Sequence, residues 1–562
     1  MVYRKRMKHW RAALVALIVV GLLMSLPYGA TWYVRRYLHE HYPWMQPEAV
    51  RVVSHSEIVL EGVTFDRGWV KGRLDHVSVE VPSKIVRVQG GTVSADLDAR
   101  KQGTGESSTV NLTASGLTVT LTKGSSSAKL TGVTWDGVQA TFSSGTGSFS
   151  VQGHNFQGSV TKGGYDRATK HFSLQSLTTH VKDLPTIPGL ALQETDLTLT
   201  DIEVKRDVLD TWDVYVSKAE AGPLTLEGVH WTPTSFLASS LTLRHPWLDA
   251  TATKVVGVQV YLDQQSTTKG SIVVDARYPK KVTLRFDASQ KTLSGSAACA
   301  DWVNALPDTF RQGPIPTLQY TGDLSFSLDV KSTPKLTLDA RCKVECKSFP
   351  DLRKEVRYMA YKADGTLFER TVQRGSSEWL PLALTGRMPQ AVLFMEDRAF
   401  PWHKGYLTEA FQNSLLENVQ KGKFARGGST ITQQTAKNLW LKRDKTFSRK
   451  VAELLLAQAL ESCLTKDEIL ETYLNIVEFG PDVYGIGRGS QHWFQKTPDR
   501  LDPDEAFWLA SILPAPKKAK PPTDADFARI EKRVESLAQE GNLPGFVGNL
   551  DGIDATDWVA NP

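Results

Sequence analysis

The chain has 562 residues and a formal net charge of +5, which is long enough for two or more domains. It is 41% hydrophobic and 23% charged, a balance that excludes wholesale disorder. The small positive excess gives no argument for a nucleic-acid partner.

At the N-terminus, Arg4, Lys5, Arg6, Lys8 and Arg11 precede an uncharged stretch, Ala12 to Val34, which Arg35 and Arg36 close. Its length matches the roughly 20 apolar residues that cross a bilayer core. The basic cluster predicts a cytoplasmic N-terminus and an exported remainder. Residues 1–38 therefore read as a basic tail and an uncleaved transmembrane anchor, with a cleaved signal peptide as the rival. Pro27 kinks that helix or marks its end.

Residues 39–350 are rich in Thr, Ser, Val, Leu and Gly, with period-2 runs such as "LDHVSVEV" and "ETDLTLTDIEV". Such runs between Gly, Asp and Pro predict strands. A faint repeat, "LEGVTF" at Leu60, "LTGVTW" at Leu130 and "LEGVHW" at Leu226, is too unevenly spaced for a solenoid. The region reads as one or several antiparallel β domains whose role the residues leave open. Cys299, Cys342, Cys346 and Cys463 lack zinc-site spacing. A disulfide between Cys299 and Cys342 or Cys346, or isolated buried thiols, are both consistent with export.

From residue 351 helical patterns take over. Thr465-x-x-Glu468 is a capping box, and Ile469, Leu470, Tyr473, Leu474 and Val477 follow on one helical face. Asp502-Pro503-Asp504-Glu505 starts another helix, which should stop before Pro514. "RKVAELLLAQALE" is apolar nearly all round and predicts a buried helix. Its Glu453 and Glu461 should then be paired or functional.

Five segments stand in order: "EDRAFPWHKGY" from Glu396, "RGGSTITQQTAKNLW" from Arg426, "RKVAELLLAQALE" from Arg449, "EILETYLNIVEFGPDVYGIGRGSQHWFQK" from Glu468, and "LASILPAPKKAKPP" from Leu509. In order and spacing they resemble the conserved blocks of the family 51 peptidoglycan glycosyltransferases, in particular the monofunctional biosynthetic transglycosylases. The resemblance implies a lysozyme-like, mainly helical domain over 351–545, with 546–562 a tail. The overall expectation is multidomain: transmembrane helix, β-rich region, helical transferase.

The resemblance also implies a reaction. Members join lipid II units at the bacterial inner membrane, with inversion and release of undecaprenyl pyrophosphate. The implied substrates and partners are lipid II, the nascent glycan strand, the membrane and other cell-wall synthesis proteins. Glu396 maps to the general base and Glu453 to the second glutamate. Ser429, Thr430, Gln433, Gln434 and Lys437 line the implied donor site, joined by His403, Lys445, Arg449 and Lys450. Many members depend on Mg2+ or Mn2+, and Glu453 is the residue that would help hold such an ion. Uncharged donors beside compact cations suit a pyrophosphate leaving group.

Some positions depart from the family pattern. Tyr406-Leu407 follows Gly405 where the family has Phe-Asp, and Lys445 stands where arginine is common. "RGSQHWF", Arg488 to Phe494, replaces an alanine-rich stretch. The segment Tyr406 to Val419 is amphipathic, as a membrane-dipping or a core-facing helix would be. About 40 residues follow Pro522, too few for a penicillin-binding transpeptidase. The competing readings are an envelope scaffold with an inactive transferase, and a glycan-cleaving hydrolase.

Overall fold

The computed structural model describes residues 27–539 with several breaks, the longest at 100–110, 183–193 and 408–428, where Glu417 alone is described. The chain divides into two compact units, the first running to Ser239 and the second from Ser240 onward.

The first unit opens with helix α1, Pro27–His41. Ala30, Val34 and Leu38, spaced four apart, form its buried face. Val34 and Leu38 pack with Val50, Ile58, Leu60 and Val77 of the sheet. The sheet follows the period-2 pattern, and its described strand pairs are antiparallel, from Ala49–Ser54 with Glu57–Asp66 onward mostly between neighbours in sequence. The exception is a parallel pair, Ile85–Asp96 with Asn111–Lys123. The sequence repeat has a backbone meaning. Gly62, Gly132 and Gly228 each take φ between +57° and +64°, a conformation that glycine adopts without strain. At Gly62 the pairing of Glu61 with His76 and Val63 with Leu74 skips a residue on each strand. The recurring Leu-x-Gly-Val therefore marks a bent strand rather than a structural repeat unit.

The described residues do not contain the expected transmembrane helix. Among the described residues no helix is long and apolar enough to cross a membrane. Residues 12–26 of the expected span lie outside the described residues, as does the basic tail. The described remainder, from Pro27, begins a helix that continues through Arg35 and Arg36 and lays one face on the sheet. An uncharged run was legible, but its last third is the start of an amphipathic helix.

From residue 351 onward helices prevail, as expected, but they do not form a unit of their own. Strand outweighs helix among the described residues, and the second unit mixes both. It holds the strands from Thr253–Leu262 to Lys335–Ala340, helix α2 (Cys299–Ala305) and a hairpin, Glu355–Tyr361 with Leu367–Gln373. Then come α3 (Met388–Glu396), α4 (Ile431–Trp440), α5 (Phe447–Cys463), α6 (Lys466–Ile476), α7 (Ile486–Phe494), α8 (Pro503–Ile512) and α9 (Asp524–Gln539). The start signals are realised: Thr465 and Glu468 cap α6 reciprocally, and Glu505 accepts from the Asp502 amide at 3.0 Å.

One core runs through this unit. Cys299, Val303, Ile315, Tyr320 and Val344 are buried in the same cluster as Leu456 and Leu460 of α5. Phe310 meets Phe447 edge to face, with ring centroids 5.9 Å apart. The expected division near residue 351 thus falls inside the second unit. Disulfides join Cys299 to Cys342 and Cys346 to Cys463. The second bridge ties the segment before the hairpin to the end of α5, across 117 residues of sequence. Long loops gain most from such a bridge. Cys346→Ser should therefore lower the stability of the second unit by about 2–5 kcal/mol, read as a lower urea midpoint of the full chain.

Candidate active site

The site is built around the N-terminus of α4. Thr430 is its N-cap, accepting from the Gln433 amide at 3.2 Å. Thr430 Oγ1 donates to the Gly405 carbonyl at 2.6 Å, which ties the loop after α3 to α4. Asp397 Oδ2 accepts from the Ile431 amide at 2.9 Å, placing a carboxylate at the positive end of the helix. His403 Nδ1 accepts from the Gly405 amide at 3.0 Å. Its Nε2 therefore carries the proton and donates to Asp397 Oδ2 at 2.9 Å. Lys466 of α6 donates to the His403 carbonyl at 2.8 Å and to Glu461 at 2.7 Å. Glu461 also accepts from Thr432 at 2.6 Å. The short polar residues of "STITQQT" are thus largely spent on holding the loop to the helix.

Glu396 closes α3 and is half-buried. Gln434 Nε2 donates to its Oε2 at 2.8 Å, and Tyr473 of α6 donates to Gln434 Oε1 at 2.9 Å. Tyr473 is wholly buried, and burial keeps its hydroxyl protonated and donating. The glutamine cannot turn without losing both bonds, so it presents its amide to Glu396 in one orientation. Burial raises the Glu396 pKa above the ordinary carboxylate value, while the Gln434 hydrogen bond, Lys437 and Arg533 oppose the rise. A carboxyl raised in this way is a better proton acceptor than an exposed one.

Opposite charges gather on α4 and α5. Lys437 lies three residues after Gln434, on the same helix face. Among the described residues no hydrogen bond or ion pair engages its ammonium. Burial, then Arg449 and Arg443, push Lys437 down to about 8, against the pull of Glu396. Lys450 donates to Ser429 Oγ at 2.7 Å, to Gln433 Oε1 at 3.2 Å and to Glu453 Oε2 at 3.0 Å. Burial, then Arg449 and Lys437, push it down to about 7. Glu453 is 2% exposed and is flanked by Lys450 and by Arg449, which contacts its other oxygen. Cations outnumber carboxylates here, so the cluster is poised for an anion.

The start of α5 is held from an unexpected place. Thr446 caps it, accepting from the Arg449 amide at 3.3 Å. The Ser448 amide donates to the Leu248 carbonyl at 2.9 Å, and Ser448 Oγ donates to Asp249. A turn from the β-rich part of the second unit therefore fixes the helix that carries Arg449, Lys450 and Glu453.

Comparison with known proteins places this arrangement. The family profile described as Transglycosylase matches residues 364–541, which hold Glu396, the α4 cluster and α5. The biosynthetic peptidoglycan transglycosylase of Pasteurella multocida is 40% identical over 190 residues, 34% of this chain and 76% of that protein. The chain belongs to this transglycosylase family. The proteins of the same name from Alcanivorax borkumensis and Aromatoleum aromaticum are 43% and 36% identical, over 67% and 73% of their lengths and 28% and 30% of this chain.

The transglycosylase blocks come together as follows. Glu396 and Gln434 are in direct contact, as are Ser429, Gln433, Lys450 and Glu453. Thr430 and His403 are buried and engaged within the protein. Lys445 is exposed in the loop before α5. Arg426, Gly427, Gly428 and residues 408–416 and 418–419 of the expected amphipathic segment lie outside the described residues. Sequence reasoning missed Tyr473, counted only as an apolar face, and Asp397, overshadowed by the glutamate before it. It also missed Leu248 and Asp249, which carry no local signal.

A divalent ion does not fit this donor set well. Glu453 is already neutralised by two cations, and among the described residues no three His, Cys, Asp or Glu side chains converge as ligands. No step is derived through a metal.

The titrating groups predict a bell-shaped pH dependence of kcat/KM. The acid limb falls where Glu396 gains a proton, above the usual carboxylate pKa. The alkaline limb falls as Lys450 and Lys437 lose theirs, between about 7 and about 8. Lys450→Arg should extend activity toward the Lys437 limit, because a guanidinium does not titrate there, whereas Lys437→Arg alone should leave the alkaline limb where Lys450 sets it. A pH–rate series on the parent and both variants checks this.

Proposed function

We propose that the chain polymerises lipid II into glycan strands at the outer face of the cytoplasmic membrane. The observation that carries this reading is the pairing of one raised-pKa carboxylate, Glu396, with a lysine three residues beyond its glutamine clamp that no described residue engages. The acceptor hydroxyl attacks the anomeric carbon of the donor sugar, and its proton passes to Glu396. The bond from that carbon to the pyrophosphate oxygen breaks, and the leaving pyrophosphate takes the electron pair. Lys437, Arg449 and Lys450 stabilise the charge that develops, a term worth several kcal/mol in a dry site. Glu453 holds Arg449 and Lys450 in place. The two disulfides support an oxidising compartment outside the cytoplasm.

Incubating the protein separately with lipid II and with finished glycan tests the proposal. A polymerase lengthens the first and leaves the second intact. A hydrolase would shorten the second, and an inactive scaffold would change neither.

A further inference from the structure

The residues of the site above belong to the second unit, and the first unit contains a cavity of 330 Å³. Leu38 and Tyr42, on and just after α1, and Trp44 line one side of it. Leu60, Val77, Val88 and Leu112 of successive strands line the rest. The surface facing the space is wholly apolar. A second, almost wholly apolar cavity of 410 Å³ lies further along the sheet, against Leu121, Leu130, Phe142, Val160 and Leu174.

The strand Asn111–Lys123 borders both cavities, and a backbone irregularity makes that possible. Leu112 and Ala114 face the first cavity, but strict alternation would turn Leu117 and Leu121 to the other face. Gly116, at φ +68°, sits where the register shifts between Ala114 and Leu117. The bulge changes the parity, so Leu117 lines the first cavity and Leu121 the second. The two cavities define an apolar lane, and together they are bordered by eight neighbouring strands, from Glu57–Asp66 to His171–Lys182. At the usual strand spacing that is about 34 Å.

Two features select the occupant. An extended peptide would bring backbone amides that this lining cannot satisfy, at a cost of several kcal/mol. A hydrocarbon needs no such partners. The length then discriminates among hydrocarbons. A phospholipid acyl chain spans half of the bilayer core, about 15 Å, so the lane is roughly twice too long for one. We propose that the first unit binds the hydrocarbon chain of a polyprenyl phosphate along this lane, a second lipid site separate from the transferase site. The choice of a polyprenyl lipid rests also on the lipid II reading given above.

The test uses the full chain and a photoreactive undecaprenyl phosphate, followed by peptide mapping. Labelling is expected within residues 38–177, which hold the lining of both cavities. Ala114→Trp, which fills the first cavity, and Leu112→Glu, at a position 43% exposed, should each reduce labelling at least fivefold. Thr113→Glu, on the opposite face, should not, and thermal melts would show that all three fold. Excess undecaprenyl phosphate should compete, and phosphatidylglycerol should not. Labelling confined to other parts of the chain, equal competition by phosphatidylglycerol, or indifference to both lane variants would overturn the proposal. Labelling is scored without turnover. A chain that fails to polymerise lipid II but labels in the lane refutes the polymerase reading alone.

Discussion

The Glu396→Gln protein is expected to fold as the parent does and to polymerise lipid II at least about 100-fold more slowly. The side chain keeps its size. The new amide oxygen can still accept from Gln434, whose orientation Tyr473 fixes. Burial penalises the charged form of Glu396, so a neutral amide there should not lower stability. What disappears is the proton acceptor. Glu453→Gln makes the contrasting case. It leaves Arg449 and Lys450 without their shared carboxylate in a buried setting. Breaking a buried pair in this way typically costs about 3–5 kcal/mol, so that variant should lose stability and activity together. Thermal melts and initial rates on both proteins separate the roles. Near-parental activity of Glu396→Gln would remove it as the base.

The second large effect concerns where the enzyme begins. A fragment of residues 351–562 contains the whole Transglycosylase match, yet it should be unstable and close to inactive. It lacks Cys346, which leaves Cys463 unpaired. It lacks Val303, Ile315, Tyr320 and Val344 from the core around α5. It lacks Leu248 and Asp249, which hold the start of α5. Large-to-small core changes already cost about 2–5 kcal/mol each, and here a whole wall is removed. A fragment of residues 240–562 keeps all of these and should fold and turn over detergent-dispersed lipid II. Equal rates for the two fragments would show that the β-rich part of the second unit is dispensable to the site.

That boundary also shows how far the sequence could be read. Local signals were legible: the Thr465–Glu468 box, the Asp502–Pro503 start, and a buried α5 with paired Glu453 and Glu461. The site blocks were legible because their residue types are unusual together. Contacts between distant segments were not. Asp249 and Ser448 lie 199 residues apart, and no periodicity or spacing reports such a pair. The Cys346–Cys463 bridge was invisible for the same reason. Tyr473 was placed on the right helix face, but its hydroxyl contact with Gln434 depends on how two helices cross. The uncharged N-terminal run was misjudged at its end. Its described end continues as an amphipathic helix whose Val34 and Leu38 pack on the strands, and an uncharged run alone does not report that packing.

The central claim is that this chain itself builds glycan. The most direct measurement follows purified full-length protein with radiolabelled lipid II, resolving glycan strands and released polyprenyl pyrophosphate over time. Strands should lengthen, with one pyrophosphate lipid released for each unit added, and Glu396→Gln should give neither product. Lipid II left unchanged by the folded protein, or pyrophosphate lipid released without polymer, would contradict it.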